Sequence, residues 1–235
     1  MSLILTVFSP SLLIKKIKKM KKVSKSMLAI TLVMMSLTAV SGTNSFDKLM
    51  KENLKSLRAN TEDVNFIELA DNFAKIAENN PNRFEPLYYS AYCYIIGSWQ
   101  FDNPATKTEL LSKANVAIDK GLLLSPENDE LLVLKAFYYQ AMIMTNPQKF
   151  GQPYSIKASE LFSKVQGLEP SNPRAQFLLA QNTYYTPVEY GGGKDRALPL
   201  FEKAAGFFKS QDTSNYLAPI WGEQTNKQMI LKCSK

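Results

Sequence analysis

The 235-residue chain contains no histidine. That removes the side chain that most often acts as general base near neutral pH, and with it Ser–His and Cys–His nucleophile pairs. It also removes the commonest metal ligand, so zinc sites built on imidazole are excluded. Cysteine is scarce: Cys93 and Cys233 stand 140 residues apart. Two thiols make neither a disulfide framework nor a four-thiolate metal site. Stretches that alternate with period two are few, and none is bounded like a hairpin. Long apolar runs are missing as well. The mostly apolar stretch from Met27 to Val40 has 14 residues, short of the roughly 20 that a membrane-spanning helix requires.

Excess charge of one sign is also absent from most of the chain. The formal charge is +7, but seven of the 28 basic residues and none of the 21 acidic ones fall in residues 1–42. The remainder balances at 21 of each sign, which leaves no basic stripe to neutralise phosphates, and nucleic acid is not an expected partner. The basic excess belongs to a leader. Met20 to Lys25 is basic, Met27 to Val40 is apolar, and the small residues Ala39, Ser41 and Gly42 follow. This layout predicts a signal peptide over residues 1–42, with cleavage near Ser41 to Thr43. A retained signal anchor is the alternative. Translation from Met20 would account for the second apolar patch ahead of it. No cysteine near the cleavage region offers a point for lipid attachment. The expected mature form, residues 43–235, is a single domain, periplasmic or secreted, with no stable membrane insertion.

What the chain does carry is helical periodicity and self-similarity. Phe46, Leu49, Met50, Leu54 and Leu57 fall on one helical face. Three segments align on Ala114, Ala158 and Ala197. Ile118, Phe162 and Phe201 follow four residues on, then Gly121, Val165 and Ala204, then Pro126, Pro170 and Lys209. Leu69, Phe73, Ile76 and Pro81 make an earlier copy. Offsets of 0, 4 and 7 mark one face of a helix. The small residue admits a neighbouring helix, the large one fills the space between them, and proline ends the helix. After each proline comes a second apolar helix centred on Ala91, Ala136 or Ala180.

These residues resemble the tetratricopeptide repeat, whose unit is a pair of antiparallel helices. The resemblance covers about Phe46 to Ser210. It implies an all-α fold, an α-α superhelix of helix pairs in which each repeat touches its neighbours. Helices are expected near 46–59 and 63–79, 84–97 and 106–123, 128–144 and 155–167, and 173–185 and 195–208. A single capping helix over 215–233 completes nine. Cys93 and Cys233 would then lie too far apart for a disulfide. The spacing departs from the family: Pro81 to Pro126 is 45 residues and Pro126 to Pro170 is 44, against a unit of about 34. The excess is read as three elongated loops near 97–107, 145–155 and 186–194. Their aromatics, Trp99 and Phe101, Phe150 and Tyr154, and Tyr190, would line up along one edge.

Two motifs that could carry chemistry are weighed and set aside. Gly191, Gly192, Gly193 and Lys194 precede a helix, as in a phosphate loop. But Asp195 stands where Ser or Thr is needed, Val188 stands where Gly is needed, and a helix rather than a strand comes before. A turn with Asp195 near the helix N-cap is the simpler reading. The acids Glu62, Asp63, Glu127, Asp129 and Glu130 open helices, where they complement the dipole.

The expected function is therefore non-enzymatic, with no cofactor and no metal. The resemblance implies a concave groove that holds an extended peptide or protein segment. Positions matching that face are Tyr88, Tyr92, Phe137, Gln140, Arg174, Phe177, Gln181 and Tyr184, with Trp99 and Tyr190 added from the loops. An exported scaffold that binds a protein or peptide partner is the main reading. The alternative is a transport accessory that encloses a small ligand between the helices and the loops bearing Trp99, Phe150 and Tyr190.

Overall fold

The structure is a computed structural model that describes residues 45–59 and 64–235. The expected signal peptide lies outside the described residues. Nine α-helices are present among them. They are α1 (45–58), α2 (Phe66–Asn79), α3 (Glu85–Ser98), α4 (Pro104–Leu124), α5 (Asp129–Thr145), α6 (Pro147–Leu168), α7 (Pro173–Tyr185), α8 (Lys194–Ser210) and α9 (Glu223–Cys233). One 3₁₀ turn, Val188–Tyr190, separates α7 from α8. No strand occurs among the described residues.

Helix starts follow a simple chemistry. Asn65, Asn103, Asn128, Asn146 and Asn172 cap α2, α4, α5, α6 and α7, each accepting a backbone N–H of the first turn on its side-chain oxygen. Proline follows the cap directly in α4, α6 and α7, where its missing N–H costs nothing. Each cap is worth about 1 kcal/mol.

Consecutive helices from α2 to α9 pack on one another, and α3–α5 and α5–α7 touch across them. The first helices α3, α5 and α7 thus form one layer. The repeated positions make the seams. Ala114, Ala158 and Ala197, with Ile118, Phe162 and Phe201, are all buried. At Gly121 a Cβ would come within 2.9 Å of a Leu131 methyl, so α4 lies close against the start of α5 there. Cys93 and Cys233 are both free and buried, so no disulfide joins them. Burial pushes both thiols above their ordinary range, which suits inert packing groups.

Three expectations about the loops and the last helix need correcting. The segment 145–155 is not a loop. Asn146 and Pro147 start α6 there, and the helix tolerates Pro153 in its interior. Much of the extra repeat length is thus helix: α4 has 21 residues and α6 has 22. Asp195 does not cap α8. Gly193 holds the N-cap position, without a side-chain bond. The last helix starts only at Glu223, because Pro219 and the positive φ of Gly222 (105°) interrupt the run. Residues 211–222 form instead a non-helical strap.

Candidate ligand-binding site

The strap runs back to the first helices of the stack. Arg58 of α1 donates to the Tyr216 and Ala218 carbonyls at 2.8 and 3.0 Å. Tyr89 donates to the Leu217 carbonyl at 2.8 Å. Trp221 donates its indole N–H to the Tyr88 hydroxyl at 2.8 Å. The indole also lies nearly parallel to two rings of the α3–α5 layer, Tyr92 at 5.2 Å and Phe137 at 5.3 Å between centroids. All but the Phe137–Trp221 contact span more than 120 positions in sequence, so the array is not limited to contacts between neighbouring repeats.

An ion pair anchors the same face. Arg174 of α7 makes a two-pronged contact with Glu130 of α5, at 2.8 and 2.7 Å. Its third nitrogen reaches Gln211 at the root of the strap, at 3.2 Å. Asn172 donates to both Asp129 and Glu130. Burial alone would lower the Arg174 pKa, but the Glu130 charge and hydrogen bonds more than offset it and raise it. Burial raises Tyr88 well above the ordinary phenol range, with the Glu130 charge adding to it, and lifts Tyr89 to about 12.

Beyond Phe137 the layer is open. A hollow of about 500 Å³ is lined by Trp99, Phe137, Gln140, Met144, Gln181 and Tyr185, among others. A second hollow, of about 600 Å³, adjoins it and shares Ile143, Pro147, Asn182 and Tyr185. Ile156, Pro187 and Tyr190 help complete its wall. No charged side chain lines either hollow. Met144 and Tyr185 are about two-thirds exposed and Tyr190 is 78% exposed, so large apolar and aromatic groups are left uncovered at the hollows. Trp99 meets Phe137 edge-on at 5.6 Å, and Phe137 in turn stacks on Trp221. One ring therefore belongs to both the hollow and the strap-covered face.

The glycine turn sets one edge of the hollow. A Cβ on Gly192 would fall 2.0 Å from the Thr186 carbonyl oxygen, so no side chain fits. Gly191 and Gly193 adopt φ of 86° and 100°, where other residues are strained. Gly192 and Gly193 donate to the Pro187 and Thr183 carbonyls, folding the turn against the end of α7. This holds Tyr190 at the wall. The glycines thus serve close backbone approach and not phosphate.

All but one of the residues expected to bind a partner fall into two groups. Tyr88, Arg174 and Phe177 are buried, and Tyr92 lies against Trp221. Phe137, Gln140, Gln181, Trp99 and Tyr190 line the hollows. Tyr184 packs edge-on against Tyr185, 4.9 Å between centroids. Phe150 and Tyr154 stack on one face of α6 at 4.9 Å and pack toward Tyr139, so they do not join the Trp99–Tyr190 edge. Sequence reasoning did not single out Met144 or Tyr185. Both sit in the last turns of their helices, and only their exposure distinguishes them.

The described residues form an all-helical, repeat-like stack with an uncharged, ring-lined hollow. No protein-family model and no curated protein matches the chain. Among solved structures it is similar to the HusA haemophore from Porphyromonas gingivalis. The TM-score is 0.72 and the identity 32%, over 80% of this chain and 92% of that one. The chain belongs to the family of that haemophore.

Proposed function

We propose that the protein is an exported, non-enzymatic carrier that binds haem, or a flat ring of the same kind, in the hollow between α5, α6 and α7. The observation that carries this reading is the uncharged wall formed by Trp99, Phe137, Met144 and Tyr185. Its relationship to a haemophore supplies the ligand class. The volumes fall in the range of roughly 300–1,000 Å³ usual for small-molecule sites. With no histidine in the chain and both thiols buried, the wall offers iron only phenol and thioether groups. Affinity then comes mainly from burying the ring faces against aromatic and aliphatic side chains.

A peptide laid along the inner layer is the less supported reading. Residues 211–222 cover Tyr88, Tyr89 and Tyr92, where such a peptide would lie. No helix among the described residues is long and apolar enough to cross a membrane, which suits a released carrier.

Haem titration followed by absorbance tests the reading. The wild-type chain should bind with a shifted Soret band. Met144→Ala combined with Tyr185→Ala should weaken binding about tenfold or more, from two lost apolar contacts of about 1 kcal/mol each. Tyr88→Phe, under the strap, should leave affinity unchanged. Absence of any Soret shift, or equal affinity in the double variant, would overturn the proposal.

A further inference from the structure

The hollow is uncharged, but its outer rim is not. Lys232 of α9 places its ammonium 5.2 Å from the Tyr184 ring centroid and 5.9 Å from that of Tyr185. Tyr185 is the wall shared by both hollows. Arg196 of α8 donates to the carbonyl of Gly191, the residue after Tyr190, at 3.1 Å. Both cations are exposed, and neither takes part in an ion pair among the described residues. Asp195 and Glu189 are the acids nearby in sequence, and Asn226 and Cys233 of α9 are buried against the same end of the stack.

From this placement we infer that Lys232 and Arg196 form a carboxylate-binding rim that selects an amphipathic ring ligand and fixes which edge of it faces outward. The inference rests on the haem reading above and adds the part of the ligand that reading leaves unaddressed. A haem-like ring is apolar on its faces and carries two propionate carboxylates on one edge. The uncharged hollow suits the faces but offers the acids no cation, and a carboxylate held there without a charged partner is disfavoured. The rim supplies two cations, Lys232 against the Tyr185 ring and Arg196 on the carbonyl of Gly191, next to Tyr190 in the chain. Arginine presents a planar fork suited to a carboxylate, and the lysine stem lies along a ring while its head stays in water.

The glycine turn gains a second role in this account. Folding Gly191–Gly193 against α7 sets Tyr190 in the wall and brings the Gly191 carbonyl to Arg196, which tethers the guanidinium. Two of the guanidinium nitrogens remain available to a ligand.

The test compares haem with haem dimethyl ester, whose carboxylates are masked, on the full chain and on Lys232→Gln/Arg196→Gln. Wild type should bind the diacid more tightly than the diester, by about tenfold at low salt, and the preference should shrink as salt rises. The double variant should bind both alike, with diester affinity equal to wild type, which also shows that the hollow is intact. Reversal of charge in Lys232→Glu should favour the diester. If wild type binds both ligands and the variants keep the diacid preference, the rim assignment is wrong while the haem reading stands. A wild-type chain that binds neither ligand overturns the haem reading, and the rim with it.

Discussion

The strap-covered face and the open hollow are built from the same layer of helices, and they use aromatic residues in opposite ways. Under the strap, Tyr88, Tyr89, Tyr92 and Trp221 are satisfied by one another, by backbone and by the Glu130–Arg174 pair. Around the hollow, Met144, Tyr185 and Tyr190 are exposed and meet few partners. The first region spends its rings on holding the ends of the stack together. The second leaves its rings available for something that is not part of the chain. Phe137 stands between them, with Trp221 on one side and Trp99 on the other.

Perturbations can break this contrast, and the largest effect is expected at the ion pair. Arg174→Ala leaves the partly buried Glu130 with Asn172 and Tyr88 but without its ion-pair partner, and should cost about 3 kcal/mol, read by chemical denaturation. A loss below about 1 kcal/mol would show that the strap-covered face is not the structural half. Next come the two tryptophans. Trp221→Ala should lower stability by about 2–3 kcal/mol, as it removes two ring contacts and the bond to Tyr88. Trp99→Ala, at a 44% exposed residue, should cost less than about 1 kcal/mol yet weaken haem binding. Equal stability losses for the two would erase the distinction.

Gly192→Ala probes the turn. The new methyl meets the Thr186 backbone, so the turn must open, at about 1–2 kcal/mol. Haem affinity should fall with it, because Tyr190 leaves the wall. An unchanged affinity would detach the turn from the site. The mildest perturbation is pH. Burial raises Tyr88, Tyr89 and Tyr92 above their ordinary value near 10, with Tyr89 at about 12. A raised pKa means that the folded state holds the proton more tightly than the unfolded one. The stabilisation is therefore complete below about pH 10 and is lost as pH climbs toward and past 12. Denaturation curves from pH 8 to 12 should show this decline, with tyrosinate absorbance lagging that of free tyrosine. A flat profile would mean that these hydroxyls are not held as described.

The helix pairs were legible because their signal is local. Ala114, Ile118 and Gly121 recur as Ala158, Phe162 and Val165 at one helical spacing, and all are buried as that spacing requires. The start of α6 was misread because proline and glycine between Asn146 and Pro153 look like loop punctuation. An asparagine cap with proline at the next position is instead how this chain begins helices, a pattern visible also at Asn103 and Asn172. The strap was hidden for another reason. Nothing at Trp221 points to Tyr92, since their contact joins positions 129 residues apart. The hollow was half visible. Trp99, Phe137 and Tyr190 were named, but Met144 and Tyr185 show their role only by remaining uncovered after folding.

Hydrogen exchange with and without haem tests the central claim most directly, since it reads each region separately. Ligand in the hollow should slow exchange at the ends of α5 and α7, around residues 140–147 and 181–190, and leave residues 211–222 unchanged. Protection or opening confined to the strap, with no change around Tyr185, would contradict the account and return the ligand to the inner face.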